Sequence, residues 1–274
     1  MNHPPLPAVA AEGIRRIILE QSKRAGIGHI GSALSIADIL ASLYGDVLQI
    51  PDVDAPERDR FVLSKGHAAL ALYAALHLRG LISPAQMESF CTAGTLLGVH
   101  PSHCLPGIDF STGSLGMGLS FASGAALAAR FQGSARRSFA LLSDAECNEG
   151  AVWEAAMFSA HHRLGRLCAI IDLNGQQGLG YTKEVLRMEP MAARWEAFGW
   201  RVTEVDGHNR VALTAALGTG VSDPGQPHLV LAHTTFGHGV SFMESQIAWH
   251  YLPMSDEQFA TAMAGLAHSD DALA

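Results

Sequence analysis

Asp144 and Asn174 are the residues whose types and spacing point most directly to chemistry. They lie 30 residues apart, each just past an apolar run, Phe139–Leu142 for the first and Leu167–Asp172 for the second. If those runs are neighbouring strands, both side chains reach one point. A carboxylate with an amide oxygen is a hard-oxygen set, suited to Mg²⁺ or Ca²⁺ rather than zinc, and it leaves room for phosphate oxygens. The plainer alternative is that each residue only caps the helix behind it. Taken together, with glycine-flanked turns beside them, the pair favours a metal–diphosphate site.

Histidines supply the second group. His29 (GIGHIG), His67 (KGH) and His100 (GVHPSH) are glycine-flanked, and His250 follows Trp249. Imidazole suits proton traffic and contacts to hydroxyls or phosphate near neutral pH. A glycine beside it lets a backbone approach a ligand closely. His77, His161, His162 and His268 sit on helical patterns without such a glycine and read as ordinary histidines. No pair stands at zinc-ligand spacing.

These residues must be held by regular elements. Four β-rich runs recur, Phe139–Leu142, Leu167–Asp172, Trp200–Val205 and His228–Ala232, with helical patterns over about 149–163, 190–198 and 209–221 between them. Such alternation predicts right-handed crossovers and a doubly wound α/β domain: a mostly parallel sheet with helices on both faces. Near-continuous apolar runs predict strands buried on both sides. Ligands of such sheets bind beyond the carboxyl ends of the strands, where the polar segments lie. In the first half, 8–25 reads as a helix, and Ser35 reads as the N-cap of another running to Gln49. Phe61-Val62-Leu63 reads as a strand, 91–114 as an irregular functional loop, and the segment from Leu115 as a small-residue helix. Residues 1–7, with three prolines, read as a flexible terminus, and 8–274 as a single domain.

The 274 residues carry 18 basic and 26 acidic side chains, a formal charge of −8, which argues against nucleic-acid binding. Four scattered cysteines without a CxxC predict neither a disulfide framework nor a structural zinc, and suit a reduced cytoplasmic chain. Neither a signal peptide nor a membrane span is expected.

The ordered motifs GHIGSALSIADILASLY, DRFVLSKGHAALALYAAL, GVHPSH, STGSLGMGLSFASGAALA, SDAECNEGAVWEAAMFSAHHRLGRLCAIIDLNGQQ, VDGHN and GVSFMES…AWH cover about residues 10–255. In this order the chain resembles the N-terminal, thiamine-diphosphate-binding half of transketolase, as the shorter subunit of a split enzyme. The resemblance implies that Asp144, Asn174 and the carbonyl of Gln176 hold Mg²⁺, for which Ca²⁺ or Mn²⁺ can substitute. It implies an Ala145 N–H on the diphosphate, a cofactor-lining segment Gly113-Ser114-Leu115, and a diphosphate contact at His67. His29, His100 and His250 correspond to histidines around the reacting carbon and the sugar hydroxyls, with His250 also near the cofactor. Glu149 corresponds to a buried acid at a subunit interface. Ser143-Asp144-Ala145 departs from the family's Gly-Asp-Gly, His238 stands where many relatives have lysine, and Tyr251 replaces a glycine. An alanine at 145 suits the turn only if φ there is negative.

The activity implied is transfer of a two-carbon ketol unit from a ketose (phosphate) to an aldehyde or other acceptor. A pathway-specific relative would serve a non-standard acceptor such as a carrier-bound thioester, and a third, non-catalytic reading keeps the fold for assembly only. The pyrimidine-binding half is expected on a separate C-terminal transketolase subunit of about 300 residues. Together they would form an α₂β₂ assembly, with the helix over 116–129 as candidate interface.

Overall fold

The computed structural model describes residues 9–219 and 225–271, so the 1–7 segment and the end of the helix expected over 209–221 lie outside it. The elements are α1 (Ala11–Ala25), α2 (Ile30–Leu34), α3 (Ala37–Ser42), β1 (Arg60–Leu63), α4 (Ala69–Leu78), α5 (Pro84–Glu88), α6 (Met117–Phe131), β2 (Ser138–Ser143), α7 (Gly150–His161), β3 (Leu167–Leu173), β4 (Gln176–Gln177), β5 (Gly180–Tyr181), α8 (Thr182–Val185), α9 (Met191–Ala197), β6 (Arg201–Asp206), α10 (Arg210–Thr219), β7 (His228–His233) and α11 (Asp256–Asp271).

The main sheet is parallel throughout, in the order β1-β2-β3-β7-β6. Alternate strand residues feed two cores, one on each face. Phe61, Phe139, Cys168, Ile170 and Val230 join the helices of the first half, whereas Val62, Ala140, Leu142, Ile171 and Leu229 meet α6, α7 and α9. Covering both faces accounts for the unbroken apolar runs, and β2 and β3 are adjacent as the metal–diphosphate reading required.

Two expectations need correction. Trp200–Val205 is not a strand buried on both sides: β6 is the sheet edge and only partly covered, while Trp200, just before it, is buried. Ser35 is no N-cap. It closes α2, and its buried hydroxyl donates to Asp172 Oδ2 at 2.8 Å; Ile36 precedes α3 without a side-chain cap. Ile30–Val47 does have the length and hydropathy of a spanning segment, with 89% of it buried inside the fold.

Candidate functional site

Four loops at the carboxyl ends of the strands, with the turn before α2, enclose a cavity of about 290 Å³. Its lining includes His29, His67, Leu115, Ala145, Glu149, Asn174, Gln176 and His250 among the sequence candidates, and Ser32, Asn148, Gln177 and Tyr251 besides. Five buried polar atoms on this lining have no hydrogen-bond partner: His29 Nδ1, Asn148 Oδ1, Gln176 Oε1, Gln177 Nε2 and His250 Nδ1. Buried polar groups are almost always satisfied, so their convergence marks a place built for a polar ligand.

The glycines beside His29 and His67 admit other parts of the protein. A Cβ on Gly28 would sit 2.4 Å from the Tyr251 carbonyl oxygen, and one on Gly66 would sit 2.8 Å from Gly113 N. This brings Gly113 onto the His67 turn, with the His100 ring packed against it. His100 itself is exposed, and neither it nor Gly113 or Ser114 lines the cavity. His29 occupies the left-handed region (φ 60°, ψ 23°). That conformation costs a non-glycine residue about 1 kcal/mol and marks functional positions when the surroundings enforce it.

Asp144 is buried at the end of β2. Its Oδ2 accepts the Gly175 N–H at 2.9 Å and its Oδ1 the Ala145 N–H at 2.8 Å, so part of the capping alternative holds. The same bond engages the Ala145 N–H expected on the diphosphate. Ala145 lies in a 3₁₀ turn, so its alanine side chain carries no left-handed strain. Asp144 lines a neighbouring cavity, with Thr182 and Met188, rather than the main one. Burial first, then Asp172, raises its pKa to about 7. A carboxylate so poorly compensated is suited to a cation, and Asn174 Oδ1 and Gln176 stand next to Gly175. The donor set is all oxygen and fits Mg²⁺.

The cavity histidines are neutral near pH 7. Burial, then Lys65, lowers His67 to about 3; burial lowers His250 to about 4; burial, then His100, lowers His29. Glu149 is exposed on this chain, and the buried acid of its segment is Glu146. Glu146 accepts from Ser64 Oγ at 2.5 Å and Gly116 N at 2.7 Å, tying β1 to the start of α6. Sequence reading also missed Lys65 and Asp172, a fully buried ion pair at 2.5 Å. The signal was available: charges inside apolar runs are almost never buried unless paired.

His208 and His238 lie elsewhere. Their rings stack at 3.5 Å beside Asp38, which also pairs with Arg15. His208 donates from Nδ1 to Asp38 and accepts the Thr235 N–H at Nε2, so its ring is already committed. His238 is therefore not a cavity residue, while Tyr251 is.

A family model described as transketolase, thiamine diphosphate binding domain, matches residues 7–271. The 6-deoxy-6-sulfo-D-fructose transketolase subunit SqwG of Clostridium sp. (strain MSTE9) is 41% identical over 262 residues, 93% of this chain and 94% of that one. An apulose-4-phosphate transketolase subunit of Phocaeicola vulgatus is 39% identical over 255 residues, 92% and 91% of the two chains. A solved transketolase from Leishmania mexicana superposes with a TM-score of 0.87 at 29% identity, covering 94% of this chain and 40% of its own. The chain thus spans about two fifths of that solved transketolase, and nearly all of the two subunit-named relatives.

Proposed function

Because the chain belongs to the transketolase thiamine-diphosphate-binding family, we propose that it is the cofactor-holding subunit of a two-chain transketolase. It moves a two-carbon ketol unit from a ketose to an aldehyde, and a pyrimidine-binding partner subunit completes the site in an α₂β₂ assembly. The observation that carries this reading is the convergence of five unpartnered buried polar atoms on one cavity at the strand ends. Two relatives named for a sulfonated ketose and a ketose phosphate support a ketose donor with an anionic far end. Four unpaired thiols suit a reducing, cytoplasmic setting.

Asp144, Asn174 and the Gln176 carbonyl would hold Mg²⁺, and His67 would contact the diphosphate. Bound thiamine diphosphate supplies the electron sink that C–C cleavage beside a carbonyl requires. His29 and His250, neutral and unpartnered at Nδ1, orient substrate hydroxyls and take up or return protons there. His100, packed on Gly113, serves the outer end of the substrate, and Leu115 forms an apolar wall. Glu149, exposed on this chain, faces the partner.

A second reading, delivery to a non-standard acceptor, rests on Tyr251, whose phenol stands at the cavity rim. Profiling acceptors with the reconstituted pair separates the two. The first test is calorimetric titration of thiamine diphosphate with Mg²⁺, with and without the partner half, alongside Asp144→Ala. Mg²⁺-dependent binding lost in Asp144→Ala is expected. No binding even with the partner present would sink the cofactor assignment.

A further inference from the structure

Lys65 precedes the Gly66-His67 turn and is completely buried. A lysine there invites the role of direct phosphate binder, yet its ammonium is already spent. Lys65 Nζ donates to Asp172 Oδ2 at 2.5 Å, and to the carbonyl and the hydroxyl of Ser32 at 3.0 Å each. Asp172 is equally occupied. Besides Lys65, its Oδ2 accepts from Ser35 at 2.8 Å and from Asn174 Nδ2 at 2.7 Å, while Oδ1 accepts from Thr234.

The two ends of this pair touch different parts of the site. On one side, Ser32 Oγ lies 2.9 Å from His67 Nε2. On the other, the bond from Asn174 Nδ2 to Asp172 fixes the amide so that Oδ1 takes the opposite direction, beside Gln176. One continuous chain of polar contacts therefore runs His67–Ser32–Lys65–Asp172–Asn174. Partners behind first ligands set ligand orientation and metal affinity.

We infer that the buried Lys65–Asp172 pair is a positioning device that couples the metal-holding amide of Asn174 to the anion-contacting His67, so that each end binds best when the other is filled. The inference rests on the proposed cofactor site and goes beyond it by giving these two residues an indirect role. Lys65 orients Ser32 and anchors Asp172; Asp172 orients Asn174. Neither is needed as a direct ligand.

The test uses the full chain, with inorganic pyrophosphate as the probe, titrated calorimetrically with Mg²⁺ and again with a chelator. The quantity read is the enhancement of pyrophosphate affinity by Mg²⁺. Asp172→Asn keeps the shape and removes the charge, and is expected to cut that enhancement 10-fold or more, within the about 10–100-fold typical of partners behind metal ligands. That variant leaves Lys65 buried without its counter-charge and can fail to fold. The double variant Lys65→Met/Asp172→Leu removes both charges, an exchange proteins often tolerate. It leaves the Ser35 and Thr234 hydroxyls without their acceptor, so some fall in thermal midpoint is expected, and the folded variant should lose the enhancement. A pair that merely props the fold predicts otherwise: a double variant whose thermal midpoint changes while it still binds as wild type does. That result, or a folded Asp172→Asn with the enhancement within twofold of wild type, overturns the inference alone. The same titrations are run with the partner half present, and absence of Mg²⁺-dependent binding in the wild-type chain under both conditions overturns the cofactor reading and this inference with it.

Discussion

Gly31 offers a quantitative test of how the fold holds its site. A Cβ at this position would lie 2.1 Å from Phe236 Cε1 and 2.3 Å from its Cζ. Phe236 is 1% exposed and cannot swing into solvent. Ordinary contact needs roughly 3.4 Å or more, so Gly31→Ala must shift the ring by about 1.3 Å. Forcing extra volume into a packed core costs about 1–3 kcal/mol. For a chain of this size each kcal/mol is worth roughly 2–4 °C, giving a fall in Tm of roughly 2–12 °C. The displaced ring is also the platform of His250, stacked on it at 4.2 Å and 15°. Thiamine diphosphate binding with Mg²⁺ should therefore weaken beyond what the stability loss explains. Differential scanning calorimetry and titration read the two effects separately. Adding Phe236→Leu to Gly31→Ala should return part of the Tm without returning full affinity, because the stacking partner is gone. Gly218→Ala, in α10 with nothing within 4 Å of the new Cβ, is the control and should gain about 0.5–1 kcal/mol. A Gly31→Ala chain with wild-type Tm and wild-type binding would refute the packing argument.

Other outcomes follow from the same geometry. Asp144→Asn should abolish Mg²⁺-dependent binding and should remove a fall in stability of the ligand-free chain as pH rises from about 4 to 7, where burial opposes the charged carboxyl; an unchanged pH dependence would show that its burial is not unfavourable. His228, buried and lowered to about 4, stays neutral in the folded chain while the unfolded chain takes up a proton below about pH 6.5. Stability on its account is thus intact above that pH and lost as pH falls toward 4. His228→Gln should flatten this acid limb by about 1.4 kcal/mol per pH unit in urea titrations, and an equal slope in both proteins would contradict it. Tyr251→Phe removes the bond from the phenol to the Gly178 carbonyl. A loss of about 0.5–1.5 kcal/mol should appear as a roughly 2- to 12-fold weaker titration of Mg²⁺–thiamine diphosphate, and unaltered affinity would mean that the tether does not shape the cavity.

The sheet was legible because its strands carry their burial in their composition. Runs such as Phe139–Leu142 sit between two apolar layers, so every residue had to be apolar, and the observed β2 extends the run by one residue at each end. The placing of Asp144 and Asn174 at the ends of adjacent strands was legible because each follows an unbroken apolar run. The two-residue strands β4 and β5 carry too little pattern to read, although they present Gln176 and Gln177 to the cavity. Ser35 misled because a serine three residues ahead of an aspartate fits a cap, while its true partner lies 137 residues away. Lys65 and Asp172 each signalled a need for a partner, but with 107 residues between them the sequence did not say which. His238 was noted only as standing where many relatives have lysine, and its stacking on His208 is purely tertiary.

The order of strands also governs when the site can exist during synthesis. β7 lies in the sheet between β3 and β6, although it follows both in the chain, and pairs Cys168 with His228. The cavity's final wall, His250 and Tyr251, comes later still. A growing chain that has made β1, β2 and β3 already carries Asp144 and Asn174, yet lacks both the strand that covers β3 and the imidazole that closes the cavity. Assembly of the site is thus postponed until nearly the whole sequence has left the ribosome. Distant pairings of this kind make folding slow and leave unpaired strand edges open in the meantime.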